Sequence, residues 1–355
     1  MIVIDGRHVG PGARCFLIAE AGVNHNGDPA LAHGLIDAAA DAGADAVKFQ
    51  TFDAGSLVTL DAPKAAYQLR TAPTGTQYEM LRALELAHAE YPSLMEHARR
   101  RGLVFLSTPF DERSADFLEQ LGLGAFKISS GDLTNLPMLA HIARKGRPMI
   151  VSTGMSDLDE VQEACETIRD AGPAGGAGPI GNARLILLHC VSNYPAVPSD
   201  ANLAAMRTIA NATGAPVGFS DHTPGIEVSL AAVALGACVI EKHLTLDPTM
   251  PGPDHAASLG PGDWRLLARG VRTVEDALGD PGKRPTASEQ NTARVARRSL
   301  VAARDLPAGT VLSADVIAVR RPGTGLPPRM RDELVGRSLS VPVQAGSLLT
   351  LDLLT

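Results

Sequence analysis

Two histidines, His222 and His243, each close a short apolar run, PVGFSDH and CVIEKH, in a chain of 355 residues. Imidazole suits Mn, Fe, Zn and related ions, and two histidines leave open positions for water and substrate. A lone strand-end histidine is more often a hydrogen-bonded structural group, whereas a matched pair on consecutive runs points to a metal. Two lysines are equally out of place: Lys48 in AVKFQ and Lys127 in AFKISS stand inside apolar runs, where a charge is costly unless paired. An inward lysine can form an imine with a carbonyl substrate or hold a phosphate as a point charge. Hydroxyls of Thr108, Ser130 and Ser152, with backbone amides around SSG and STG, would complete an anion cradle. Two lysines with such a ring favour a ligand bearing phosphate and carboxylate over a single imine. The bland alternative pairs a lysine with a buried carboxylate such as Glu20.

These residues need elements that bring them to one place. Eight aliphatic runs alternate with Ala/Leu-rich helical stretches: FLIAEAG from 16, AVKFQ from 46, VFLSTPF from 104, AFKISS from 125, PMIVSTG from 148, LILLHCV from 185, PVGFSDH from 216 and CVIEKH from 238. Near-continuous apolar strands alternating with helices imply a covered parallel sheet, and eight units in this length match a (β/α)8 TIM barrel. The rival, an open doubly wound sheet, lacks a glycine-rich dinucleotide turn after its first strand. In such a barrel the chemistry sits at the C-terminal strand ends, and polar groups end nearly every run, His189, Ser192, Tyr194 and Asp221 among them. In CVIEKH, Glu241 shares strand parity with His243 and is expected as its inward partner. Lys242 alternates outward and is expected to be structural. Asp254, on the stiff loop TMPGPDHAAS, suits recognition of a sugar hydroxyl and equally suits a plain turn.

Residues 51–91 interrupt the rhythm, and a long connection after the second strand reads as a lid or substrate-contacting loop. The glycine-rich stretch 171–183 reads as a plain flexible connection. The expected organisation is a barrel over 1–280, a linker over 281–294 and a small β-rich tail over 295–355. In that tail LPAGTVLSADVI (306–317) is echoed by VQAGSLLTLDLL (343–354), which predicts internal pseudo-symmetry. A net charge of −7 offers no footprint for nucleic acid. Four scattered cysteines suit a reducing, cytoplasmic setting. No signal peptide or membrane-spanning stretch is expected.

FLIAEAGVNHNGD, VKFQTF, STPFD, FKISSGDLTN, VSTGM, LLHCVSNYPA, GFSDHTPGIE, VIEKHLTL and PGPDHAASL together resemble the sialic acid synthases. RRSLVAARDLPAGTVL with RRPGTGL resembles their C-terminal antifreeze-like (SAF) domain. The resemblance covers almost the whole chain. It implies condensation of phosphoenolpyruvate with an N-acetylated amino sugar of the mannosamine type. It further implies that His222 and His243 bind a divalent ion, Mn or Mg, and that Lys48, Thr108, Lys127, Ser130 and Ser152 hold phosphoenolpyruvate. Gln50, Asp132, Ser192, Tyr194 and Asp254 would face the sugar, with Glu20 near the reacting carbons. A domain-swapped homodimer would bring Arg321 to the sugar's N-acyl group from the other subunit. Asp132, Ser192 and Leu244 depart from the better-known sialic acid pattern, and DAPKAAYQ with YEML looks more like the legionaminic branch. Rival readings are a Schiff-base pyruvate aldolase using Lys127 and a non-catalytic carbohydrate-binding protein.

Overall fold

The computed structural model describes residues 1–71, 73–173 and 184–355, and the glycine-rich connection expected over 171–183 lies largely outside the described residues. A short hairpin comes first, β1 (Ile2–Ile4) and β2 (Arg7–Val9), turned by Asp5 and Gly6 at φ 44° and 79°. Positive φ at both turn residues is what a tight two-residue hairpin needs, and Asp-Gly supplies it.

All eight expected runs are strands: β3 (Phe16–Gly22), β4 (Ala46–Thr51), β5 (Val104–Pro109), β6 (Phe126–Ile128), β7 (Met149–Ser152), β8 (Leu185–Cys190), β9 (Val217–Asp221) and β10 (Val239–His243). They pair in parallel in the order β5, β4, β3, β10, β9, β8, β7, β6, and β6 returns to lie beside β5. This is the nearly closed barrel expected from the alternation. Strand period then sorts each run between two faces. Leu17, Phe49, Phe105 and Phe219 pack outward among helices such as Pro29–Asp41. Ile18, Leu106, Ile150 and Leu188 point inward and share a dry cluster with Ile2, Ile4 and Val9. The hairpin therefore floors the barrel at the end opposite the chemistry.

The insertion after β4 carries three short helices, Ala54–Leu57, Ala66–Thr71 and Gln77–Arg82. The third begins with a capping box, Thr76 accepting from the Glu79 amide while Glu79 accepts from the Thr76 amide. Met80 and Leu81 anchor it against Phe52, Leu84 and Phe110.

Contacts divide the chain into Met1–Gly279 and Asp280–Thr355. The stretch expected as a linker, 281–294, holds the start of a helix, Glu289–Ala296, that runs on into the expected tail. The second unit pairs β11 (Ser299–Ala302) with β12 (Ile317–Arg320) in antiparallel fashion. Its sequence echo is an echo in structure. Leu306 and Val343 exchange backbone hydrogen bonds of 2.8 Å, Leu312 and Leu349 are both buried, and each copy ends in a 3-10 turn, Ala314–Val316 and Leu351–Leu353.

Candidate active site

Above the inward apolar layer the barrel opens into a cavity of about 430 Å³, within the range of small-molecule sites. Glu20, Lys48, Gln50, Thr108, Lys127, Ser130, Ser152, Ser192, Tyr194, His222 and His243 line it. Each strand contributes by period two. Ile18, then Glu20, climb β3; Ala46, Lys48 and Gln50 climb β4; Glu241 and His243 climb β10. The same alternation removes several strand-end polar groups from the site. Lys242 faces outward and pairs with Asp221 at 2.8 Å, both buried, while also donating to the Thr223 carbonyl. His189 bonds the Ala201 carbonyl oxygen at 2.8 Å. Thr153 donates to the Leu188 carbonyl. These are structural roles.

Four charges crowd the floor of the cavity. Lys48 Nζ lies 2.6 Å from Glu20 Oε2 and donates to Thr108 Oγ1 at 3.0 Å. Lys127 Nζ donates to Ser152 Oγ at 2.7 Å and to the Ile128 carbonyl at 3.0 Å. Glu241 stands between the lysines, 3.8 Å from Lys48 and 3.5 Å from Lys127, and accepts from Ser220 at 3.1 Å. The expected partnership of Glu241 with His243 is thus replaced by one with the ammonium groups. Burial works against the Lys48 ammonium, but Glu20 and Glu241 more than offset it, so its pKa is raised. Burial prevails at Lys127 and lowers its pKa. The carboxylates diverge as well. Burial pushes Glu20 up, with Glu241 adding to it, whereas at Glu241 the burial cost is outweighed by Lys127 and Lys48. Two carboxyls pushed apart in this way can divide acid and base roles.

Glycine completes the cradle. The Gly154 amide donates to Ser130 Oγ at 3.0 Å, and Ser130 Oγ lies 3.1 Å from Cys190 Sγ. A Cβ on Gly154 would collide with Ser192 Oγ, Cys190 Sγ and Ser130 Oγ together.

The histidine rings come within 5.4 Å of each other, with Tyr194 against both at 4.2 and 5.6 Å. His222 Nδ1–H donates to the Val191 carbonyl at 2.7 Å, which leaves Nε2 as its lone-pair nitrogen. Burial lowers the pKa of His222, and burial together with His222 lowers that of His243 much further. Both are neutral, the form that ligates metals. His243 Nδ1 is buried without a hydrogen-bond partner. Among the described residues no three His, Cys, Asp or Glu form a ready-made metal cage. The donor set is therefore two imidazoles with positions open to water and substrate, which fits a catalytic ion.

Asp254 does not line the cavity. It lies buried behind His243, its Oδ2 3.9 Å from Nδ1, and burial, then Glu20, push its pKa to about 7. Asp132, half-buried in the turn Ser130–Asp132, is also absent from the lining, and burial raises it to about 6. Arg321 is exposed in the second unit. Sequence reasoning missed Ala65, Gln77, Phe110, Met155, Cys190 and Ser220 as lining residues. Ser220 was within reach, since it precedes His222 by one strand period. Ala65 and Gln77 come from the insertion, where no periodicity signals facing.

Fold and site together define a barrel whose mouth gathers buried ammonium groups and hydroxyls beside a histidine pair. The NeuB family model matches residues 35–283, and the SAF domain model matches residues 297–355. The chain is 48% identical over 344 residues to the N,N'-diacetyllegionaminic acid synthase of Legionella pneumophila, spanning 96% of this chain and 94% of that protein. It is 37% identical over 341 residues to the human N-acetylneuraminate-9-phosphate synthase, spanning 96% and 92%. The solved N-acetylneuraminic acid synthetase of Leptospira borgpetersenii, in complex with citrate, superposes with a TM-score of 0.71 at 34% identity over 82% of this chain and 94% of that one. The chain belongs to the NeuB family, as a phosphoenolpyruvate-condensing nonulosonic acid synthase of the transferase class with a C-terminal SAF domain.

Proposed function

We propose that the sugar substrate is a 2,4-diacetamido-2,4,6-trideoxymannose and the product N,N'-diacetyllegionaminate, released with phosphate. Similarity to the Legionella enzyme supports this choice over N-acetylmannosamine. So does the outer wall of the cavity, where Ala65, Phe110 and Met155 offer apolar surface to a 6-deoxy methyl group. The observation that carries the reading is the pairing of two buried ammonium groups with a neutral histidine pair in one cavity.

In this reading Lys48, Lys127, Thr108, Ser130 and Ser152 hold the phosphate and carboxylate of phosphoenolpyruvate. His222 and His243 would hold a divalent ion, Mn or Mg, which when bound supplies Lewis-acid polarisation of a carbonyl oxygen. The C3 carbon of phosphoenolpyruvate bonds to the sugar's C1 as the C1 carbonyl π pair moves to its oxygen, which takes up a proton. Water adds at C2, losing a proton, and the C2–O bond to phosphate breaks to leave the C2 ketone and free phosphate. Glu20, held by Gln50 at 3.1 Å, accepts the proton that water gives up. Much of the rate comes from holding two reactants at bonding distance. Tyr194 and Ser192 belong to the sugar side, while Asp132 and Asp254, which do not line the cavity, would act on the sugar only through the residues that do. A domain-swapped homodimer, in which Arg321 of the partner subunit meets the N-acyl group, and a cytoplasmic setting are part of the same proposal. The test is phosphate release from phosphoenolpyruvate with each sugar. The diacetamido sugar is expected to be the better substrate, with activity abolished by chelation and restored by Mn. Full turnover after complete metal removal would sink the metal role.

A further inference from the structure

The cavity mouth divides into three sectors around the ring of strands. His222, His243 and Tyr194 occupy the β9–β10 sector, and Lys127, Ser130 and Ser152 the β6–β7 sector. The third, over β4 and β5, is walled by Gln50, Ala65, Gln77 and Phe110. A sugar carbonyl held at the histidines, next to phosphoenolpyruvate on the cradle, leaves the distal sugar carbons for this third sector. Ala65 and Phe110 are apolar there, and the Gln50 amide is committed to Glu20 at 3.1 Å. Gln77 remains.

Its carboxamide is held in place. Gln77 Nε2 donates to Gln68 Oε1 at 3.3 Å, and that oxygen also accepts from the Ala65 amide at 2.9 Å. Gln77 opens a helix whose start is fixed by the Thr76–Glu79 capping box. One N–H is thus engaged, and among the described residues no partner takes the second N–H or the carbonyl oxygen, which are left for the cavity that Gln77 lines. An acylamino group carries a donor N–H and an acceptor carbonyl on opposite sides of its C–N bond, and a carboxamide with one group of each kind can meet whichever it presents. A hydroxyl at that sugar position, although both donor and acceptor, ends two bonds short of the acyl carbonyl oxygen and so falls short of the wall that Gln77 forms.

We propose that Gln77 recognises the second acylamino group of the sugar and so sets sugar choice, an assignment that rests on the functional reading above. A site built to hydrogen-bond one group discriminates strongly against its absence. The experiment compares kcat/KM for the diacetamido sugar and for N-acetylmannosamine in wild type and Gln77→Leu, with phosphate release as readout. The expected result is a fall of about 10- to 100-fold for the diacetamido sugar. KM for phosphoenolpyruvate and kcat/KM for N-acetylmannosamine should change less than about threefold. A parallel loss for both sugars, or no loss for either, overturns the assignment of Gln77 while leaving the synthase reading intact. Wild-type enzyme that uses neither sugar overturns the functional reading itself. If Gln77→Leu does not fold, Gln77→Met deletes the same amide and is read in the same way.

Discussion

At the scale of single residues the cavity floor is a balance of four buried charges, and removing one shows what it balances. Glu20→Gln leaves Lys48 with Glu241 at 3.8 Å in place of a 2.6 Å contact. Breaking a buried pair from one side costs about 3–5 kcal/mol. Removing a general base costs about 100- to 10,000-fold in rate. Denaturant midpoints and kcat should therefore both fall; a variant with normal kcat would remove Glu20 from the chemistry. Asp132 offers the opposite sign. Its folded pKa of about 6 stands above the ordinary 3.8, so between these values the folded chain binds more protons and stability falls as pH rises. Asp132→Asn cannot ionise and should gain about 1 kcal/mol near pH 7.5, discounted for partial exposure, and little near pH 4. Equal gains at both pH values would refute burial as the cause. The gathering of Lys48, Lys127, His222 and His243 in one cavity was legible at this scale because a lysine or histidine inside an apolar run is conspicuous. Glu241 was seen, but its partner was misjudged: strand parity says which face a side chain takes, and not which neighbour it meets across the barrel.

At the scale of elements, period two did most of the positioning, and it was readable wherever a run was long enough to show it. The β1–β2 hairpin was not expected, although Asp5-Gly6 between Ile4 and Arg7 is a recognisable turn signal; three-residue strands carry too little alternation to stand out. The insertion after β4 was readable as functional from its length, but its short helices give no pattern that would single out Gln77 or Ala65. Glycine sets the tightest constraint on the cradle. The loop after β7 must pass so close to Ser130, Cys190 and Ser192 that no side chain fits at Gly154. Gly154→Ala should leave the barrel folded, since the collision is with side-chain ends at a cavity, but displace Ser130 from the amide it now accepts from. KM for phosphoenolpyruvate should rise about tenfold or more, the loss of one charge-assisted hydrogen bond, with a melting temperature within a few degrees of wild type. An unchanged KM would mean that Ser130 is not a phosphate ligand.

At the scale of the whole molecule, the chain is two units with separate cores. Unit one buries the floor hairpin, the barrel interior and the helix layer. Unit two, Asp280–Thr355, has its own cluster of Leu300, Leu306, Leu312, Leu334, Leu339, Val343 and Leu349 among others. Within this unit each copy of the repeat covers the other, with Leu306 bonded to Val343 and Leu312 and Leu349 at matching depth. Domains of this size do fold alone, near the lower limit of a self-sufficient core. Residues 280–355 expressed alone are expected to unfold in urea as one cooperative transition, with a slope of about 1 kcal/mol/M. Leu312→Ala and Leu349→Ala should each cost about 2–5 kcal/mol. Because the repeat places the two leucines equivalently, their costs should agree within about 1 kcal/mol, and either one alone should remove most of the transition of so small a core. A fragment without a sigmoidal transition, or one in which only one of the two leucines matters, would show that the echo in sequence is not an echo in energetics.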